Sequence, residues 1–305
     1  MNMQGSSGIY ELFIPDVGED AVYKFNILTR YGDEIYKADP FGNCTQFRPD
    51  NANVVKDLTK YHWKDTAWMK GRKNVSRNSW KKRIEDDDNG FFSYRELAPM
   101  VAEYVKDMGY THIELMGIAE YPFDGSWGYQ VTNYYAPSSR YGTPDDLKYL
   151  INKIHDLGMF ALMDMVHSHA CPNVGEGLNR FDGSDDQYFV PEAHPLWGSR
   201  IFNFGRYEVL HYLLSNLKFW LQEYHMDGFR FNGVTSMIYQ NHGLGAVYSD
   251  YKQYFSMNTN VDAVVYLQLA NELVHSVNPL AVTMAEEVSG MPGTALPIRS
   301  GGIGF

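Results

Sequence analysis

Met159-Phe160-Ala161-Leu162-Met163-Asp164-Met165-Val166-His167-Ser168-His169 is the stretch that decides the fold. Residues 159–166 form a short apolar run, as expected of a strand buried on both faces. The run ends in a knot of polar side chains: Asp164, His167, Ser168 and His169. Just upstream, Thr143-Pro144-Asp145-Asp146 opens a helix, with Thr at the cap, Pro at the first position and acids in the first turn. That helix is expected to run to about Leu157 and to stop at Gly158. The same texture continues on both sides. A helix over Tyr94–Met108 leads to a strand over Thr111–Met116. A helix over Glu208–Tyr224 leads to a strand over Met226–Phe231. A helix over Asp262–Val274 leads to a strand over Ala281–Ala285. Helices alternating with short apolar strands imply a parallel sheet, either a barrel or a doubly wound sheet. No GxGxxG or GxxxxGK[ST] follows any of these strands, which argues against a nucleotide-binding doubly wound fold. Polar residues gather instead at the C-terminal ends of the strands, where a (β/α)₈ barrel carries its site.

Three strand ends converge in this way. The first carries Asp164 and His169, the second Arg230 and Asn232, the third Glu286 and Glu287. Each residue alone has a structural explanation: a capped loop, an internal ion pair, a core histidine. An Asp, a His, an Arg, an Asn and a Glu aimed at one rim point to a site.

The remaining sequence sets limits. The chain has 305 residues, 44% hydrophobic and 21% charged, which suits a folded globular protein. Its formal net charge of −11 disfavours a nucleic-acid partner and is compatible with a neutral polysaccharide. Aromatic residues reach 15%, a load that serves cores first and sugar faces second. Cys44 and Cys171 form no CxxC pair, so neither a zinc site nor a disulfide framework is expected, and a cytoplasmic setting is. No apolar run is long enough to cross a membrane, and residues 1–8 are too polar for a signal peptide. Asp182, Asp185 and Asp186 lack a regular calcium loop and are expected to form a solvated turn; no metal and no cofactor are expected.

Residues 1–70 have β texture. Residues 8–15 and 21–27 look like strands, the latter alternating with period two, and turns surround Gly32 and Pro40. This implies a small β-sandwich, incomplete at its N-terminal side. Residues 71–93, with Lys81-Lys82-Arg83 and Glu85-Asp86-Asp87-Asp88, are expected to be a polar linker. Residues 94–305 would then be the N-terminal part of the barrel, with four clear strands.

Several stretches are long enough to resemble a known family. Residues 164–169, residues 227–237 (Asp-Gly-Phe-Arg-Phe-Asn-Gly-Val-Thr-Ser-Met) and residues 285–292 (Ala-Glu-Glu-Val-Ser-Gly-Met-Pro) are similar to blocks of the α-amylase superfamily in its branching-enzyme form. The loop 125–137, containing Ser126-Trp127-Gly128-Tyr129-Gln130, and Ser139-Arg140-Tyr141-Gly142 resemble the same family, and residues 9–70 resemble its carbohydrate-binding module. The resemblance implies an α/β fold, a partial (β/α)₈ TIM barrel behind a small β-sandwich. It implies an α-glucan substrate such as glycogen or amylose. It places Glu286 as general acid/base and Asn232 in the slot of the nucleophilic aspartate. Asp164, His169 and Arg230 would hold the sugar and orient the nucleophile. Tyr129 would stack on the ring beside the scissile bond, with Trp127 of the same loop among the sugar contacts. The implied reaction cleaves an α-1,4 bond, holds the chain as a glycosyl-enzyme, and passes it to a 6-hydroxyl.

The sequence departs from that family in three ways. Asn232 is a neutral amide, and losing a nucleophile costs several orders of magnitude in rate. The family's later His-Asp block and remaining strands are not found before Phe305. Asn74-Val75-Ser76-Arg77-Asn78 offers no apolar first strand. Open sheet edges would make such a chain marginal unless paired. The expected function is therefore that of the branching-enzyme family, with little or no activity in this chain. A non-catalytic glucan binder and an α-glucan hydrolase are the alternatives. Asn232-Gly233 is also a deamidation-prone pair, because Gly leaves the next backbone nitrogen unhindered.

Overall fold

The computed structural model describes residues 1–6, 9–71, 79–82 and 90–305. Its centre is a five-stranded parallel sheet built in chain order: β1 (Ser79–Lys82), β2 (His112–Leu115), β3 (Phe160–Met165), β4 (Gly228–Phe231) and β5 (Val282–Ala285). Each strand pairs with the next in chain order, as in a barrel, and the order does not reverse as in a doubly wound sheet. Four long helices connect or flank the strands: α1 (Tyr94–Asp107), α2 (Pro144–Asp156), α3 (Tyr207–Glu223) and α4 (Val261–Val277).

The helix starts follow from local chemistry. Ser93 and Glu96 form a capping box on α1, and Thr143 and Asp146 form another on α2 with Pro144 at its first turn. Along the strands, side chains alternate. Ile113, Leu115, Ala161, Met163, Met165, Phe229 and Phe231 join one buried cluster with Leu147, Leu150, Ile154, Leu213, Leu217 and Trp220 of the helices. The intervening residues Glu114, Leu162, Asp164 and Arg230 fall on the other face. Register places Asp164 directly beside Arg230, and Arg230 beside Met284.

Two expectations need correction. The first barrel strand is present, at Ser79–Lys82, within the segment expected to be a linker. Its polar composition hides it: a strand of Ser, Trp and two Lys has no apolar run to detect. Residues 72–78 and 83–89, and with them Asn74–Asn78, Arg83 and the acidic run 85–88, lie outside the described residues, as do Ser7 and Gly8. The described residues of 1–70 also do not form the expected β-sandwich. The described residues of 1–54 hold three two-stranded antiparallel ribbons: 2–3 with 10–11, 22–23 with 53–54, and 25–28 with 34–37. No described apolar residue before Ala38 is buried, so these ribbons have no core of their own. Residues 37–68 instead wrap the barrel. Phe41 packs on Tyr135 and Tyr212, at 5.0 and 5.2 Å between ring centres. Thr45 donates to Glu120 at 2.8 Å, and Lys37 to the carbonyl of Asn179 at 2.6 Å. Trp63 stacks on His225 at 3.9 Å. No described helix is long and apolar enough to cross a membrane.

Candidate active site

Asp164 sits on β3 with its side chain fully buried, and Arg230 reaches it from β4. Arg230 Nη1 donates to both Asp164 oxygens, at 2.8 and 3.1 Å. Its Nη2 pairs with Glu286 Oε1 at 2.9 Å. Burial works against the guanidinium charge, but the carboxylates of Asp164 and Glu286 outweigh it and hold Arg230 charged. Tyr129 OH donates to Asp164 Oδ2 at 2.6 Å. Burial, and then the Asp164 charge, raise the Tyr129 hydroxyl far above its usual range, so it stays a neutral donor. Gly128 makes this approach possible: a Cβ there would lie 2.2 Å from Gly117 Cα. The backbone carrying Tyr129 thus crosses Gly117 with no room for side chains.

Asn232 and Glu286 close the site. The backbone leaves β4 at Asn232 and turns at Gly233, which has φ 67° and ψ 31°, into the short helix Val234–Ile238. That left-handed turn suits glycine. Glu286 follows β5, its backbone N–H bonded to Phe231 O at 2.9 Å. Asn232 Nδ2 donates to Glu286 Oε2 at 3.0 Å, and the Gly233 N–H donates to the same oxygen at 2.8 Å. A carboxylate oxygen only accepts, so this contact fixes which amide atom faces Glu286. Formal charges here are one cation, Arg230, against two anions, Asp164 and Glu286. An Asp at position 232 would add a third anion in contact with Glu286.

A cavity of about 640 Å³ opens above these groups, lined by Tyr129, His169, Trp197, Asn232, His242 and Glu286 among others. Glu286 is partly open to it, with 39% of its side chain exposed. His169 is buried, which lowers it to about 4 and keeps it neutral. Its Nε2 lies 2.6 Å from Tyr129 O and its Nδ1 2.8 Å from Ser168 Oγ. A carbonyl only accepts, so Nε2 carries the proton. In this state His169 holds the Tyr129 loop.

The expected site residues thus separate. Asp164, Arg230, Tyr129, Glu286 and Asn232 form one connected network, with His169 bonded to its edge. His167, also at the end of β3, is a core residue between Tyr266 OH and Asn216 Oδ1. Trp127 is not among the residues lining the cavity. It is half exposed and ends the turn Asp124–Ser126 in a left-handed conformation. Glu287 faces away from the cavity floor and organises the next loop, accepting from Thr235 Oγ1 and from the N–H groups of Ser289, Gly290 and Met291. Of the acidic trio, Asp182 caps Ser184 N at 2.8 Å and Asp185 pairs with Arg180 at 2.7 Å, as in a solvated turn.

Trp197 is the residue the sequence did not single out. It stands in the cavity wall, stacked on His194 at 3.8 Å with an angle of 10° between rings, and 4.9 Å from the His169 ring. His194 Nδ1 accepts from both Leu196 N and Trp197 N, which folds the loop 194–199 so that the indole is held flat. The signal in the sequence was faint: an aromatic within Pro195-Leu196-Trp197-Gly198, in a loop between unrelated blocks.

Comparison with known proteins fits this geometry. A family model of the α-amylase catalytic domain matches residues 101–194. The 1,4-α-glucan branching enzyme GlgB of Butyrivibrio fibrisolvens is 40% identical over 326 residues, covering 100% of this chain and 50% of that protein. The 1,4-α-glucan-branching enzyme of Rhizophagus irregularis is 47% identical over 321 residues, covering 98% and 46%. The chain therefore spans about half the length of the curated relatives it matches. Among solved structures, the catalytic module of the glycogen-degrading pneumococcal virulence factor SpuA shares the fold, with a TM-score of 0.65 at 18% identity over 88% of this chain and 41% of that one. With the strand-end network in place and these relatives aligned along its whole length, the chain belongs to the branching-enzyme family of the α-amylase superfamily.

Proposed function

We propose that this chain grips an α-1,4-glucan at the strand-end rim and, as written, transfers little or none of it. The family reaction cleaves an α-1,4 bond, holds the donor as a glycosyl ester, and passes it to a 6-hydroxyl to make an α-1,6 branch. Retaining transfer of this kind needs two carboxyl groups about 5–5.5 Å apart, one to attack and one to give and take the proton. The observation that carries the proposal is the contact between Asn232 Nδ2 and Glu286 Oε2 at 3.0 Å. An amide here preserves shape and hydrogen bonding but gives no stable ester. The groups for holding sugar remain. Tyr129 and Trp197 offer aromatic faces in the cavity, and the Asp164–Arg230 pair holds Tyr129 and Glu286, which line it. A neutral glucan also suits a chain of net charge −11, which would repel nucleic acid. A cytoplasmic setting is part of the proposal, supported by two free cysteines, Cys44 and Cys171.

Amylose incubated with the chain tests this. The iodine stain and the count of reducing ends should both stay at control values. A fall in stain with constant reducing ends, from chain whose mass shows Asn232 intact, would show branching and contradict the assignment of Asn232. A rise in reducing ends would show hydrolysis instead.

A further inference from the structure

The nitrogen that attacks in deamidation and the nitrogen that leaves are bonded here to one carboxylate oxygen. Glu286 Oε2 lies 2.8 Å from the Gly233 N and 3.0 Å from Asn232 Nδ2. Its other oxygen is pinned by Arg230 at 2.9 Å, which fixes the carboxylate in place. Gly233 carries no Cβ to shield its nitrogen, and its left-handed φ of 67° is one that glycine holds without strain. With 39% of the Glu286 side chain exposed, water reaches the pair. A backbone N–H locked to a carbonyl would be protected. This one is bonded to a base.

We propose that Glu286 catalyses deamidation of Asn232, so that the chain generates an aspartate at position 232 from its own residues. Glu286 Oε2 takes the Gly233 N–H proton as that nitrogen bonds to Asn232 Cγ and the Cγ=O electrons move onto oxygen. The tetrahedral centre collapses and the Cγ–Nδ2 bond breaks. Glu286 gives its proton to Nδ2, which departs as ammonia. Water, deprotonated by Glu286, then adds to Cγ of the cyclic imide. The bond from Cγ to the Gly233 nitrogen breaks, and that nitrogen recovers its proton from Glu286. One water is consumed and one ammonia released, with no change of oxidation state. Because Glu286 sits on the side-chain amide, it directs water to Cγ, and the product is ordinary aspartate. That product restores the carboxyl pair of the proposed transfer chemistry, but the step itself is independent of whether the chain transfers glucan.

The test incubates the native chain at neutral pH beside the same chain unfolded in guanidinium chloride. The tryptic peptide 231–252 is then followed by mass spectrometry for a gain of about one dalton. The native chain is expected to convert roughly a hundredfold faster than the unfolded one, the scale of general acid–base catalysis. Glu286→Gln is expected to remove that excess, and the product is expected to be aspartate. A native rate equal to or below the unfolded rate overturns the proposal. So does a folded Glu286→Gln variant that converts as fast as the parent, or a product dominated by iso-aspartate. If Glu286→Gln fails to fold, the native-to-unfolded ratio decides.

Discussion

The two ends of the parallel sheet carry similar groups in different surroundings. At the C-terminal rim, Asp164, Arg230 and Glu286 pair beneath an open cavity of about 640 Å³. At the opposite end, His155 Nδ1 lies 2.9 Å from Asp65 and its Nε2 3.0 Å from Asp227, with all three side chains essentially unexposed. His225 adds a second bond to Asp65 at 2.8 Å, and Trp68 stacks over His155 at 5.4 Å. Burial works against the His155 cation, but Asp227 and Asp65 outweigh it and raise its pKa. Burial likewise opposes charge at Asp65, but bonds from His155 and His225 hold its carboxyl well below the usual range. One cluster is closed on itself, and the other leaves Glu286 and two aromatic rings facing water. Access separates a site from a staple, which is the usual division between the two faces of such barrels.

The sharpest way to break this contrast is to remove a member of the closed cluster. Asp227→Ala should cost about 3–5 kcal/mol in chemical denaturation, because it breaks a buried charged network and leaves His155 Nε2 and the Ala161 N–H without the Asp227 carboxylate. Glucan binding by the folded fraction should survive. If stability is unchanged, the cluster is not a staple. Asn232→Asp should cost about 1–3 kcal/mol at neutral pH, since a donor to Glu286 becomes an anion beside it. The penalty should shrink in acid; a stability equal to the parent's at pH 7 would contradict the contact. Trp197→Ala should weaken glucan binding about tenfold, or ~1.4 kcal/mol, with little change in Tm. Trp127→Ala should leave binding within about twofold, since that indole does not line the cavity. Equal losses from the two would remove the distinction.

The pH dependence of Tm follows from the same clusters. His155 has a folded pKa above its ordinary value of 6.5, so its contribution is complete below 6.5 and is lost as pH rises through the folded value. His169 and His194 are lowered to about 4 and His167 to about 3, chiefly by burial. Their contribution is present above 6.5 and is lost as pH falls toward those values. Tm should therefore peak near neutrality, with the steeper fall on the acid side. His155→Gln should flatten the alkaline limb, and an unchanged limb would place its origin elsewhere.

How much of this was legible in the sequence depended on distance along the chain. Strands β2 to β5 announced themselves as apolar runs, and Thr143 with Asp146 marked a helix start within a few residues. The rim was legible because each strand delivers its own polar tip. Strand β1 was not, because Ser79–Lys82 has no apolar pattern and earns its place only by pairing with His112–Leu115. The N-terminal β texture misled in the other direction. Phe25–Leu28 alternates as a half-buried strand should, yet among the described residues it pairs only with Glu34–Lys37 as a two-stranded ribbon, and the chain after it wraps the barrel. The closed cluster was invisible because Asp65 and Asp227 lie 90 and 72 residues from His155. Trp197 was missed because its flatness comes from His194, a contact that no spacing rule marks.

The most direct test of the account is electrophoresis of the native chain through gels with and without glycogen. An open rim that still holds glucan predicts clear retardation in the glycogen gel, relieved by added maltoheptaose and reduced in Trp197→Ala. Migration identical in the two gels would contradict it.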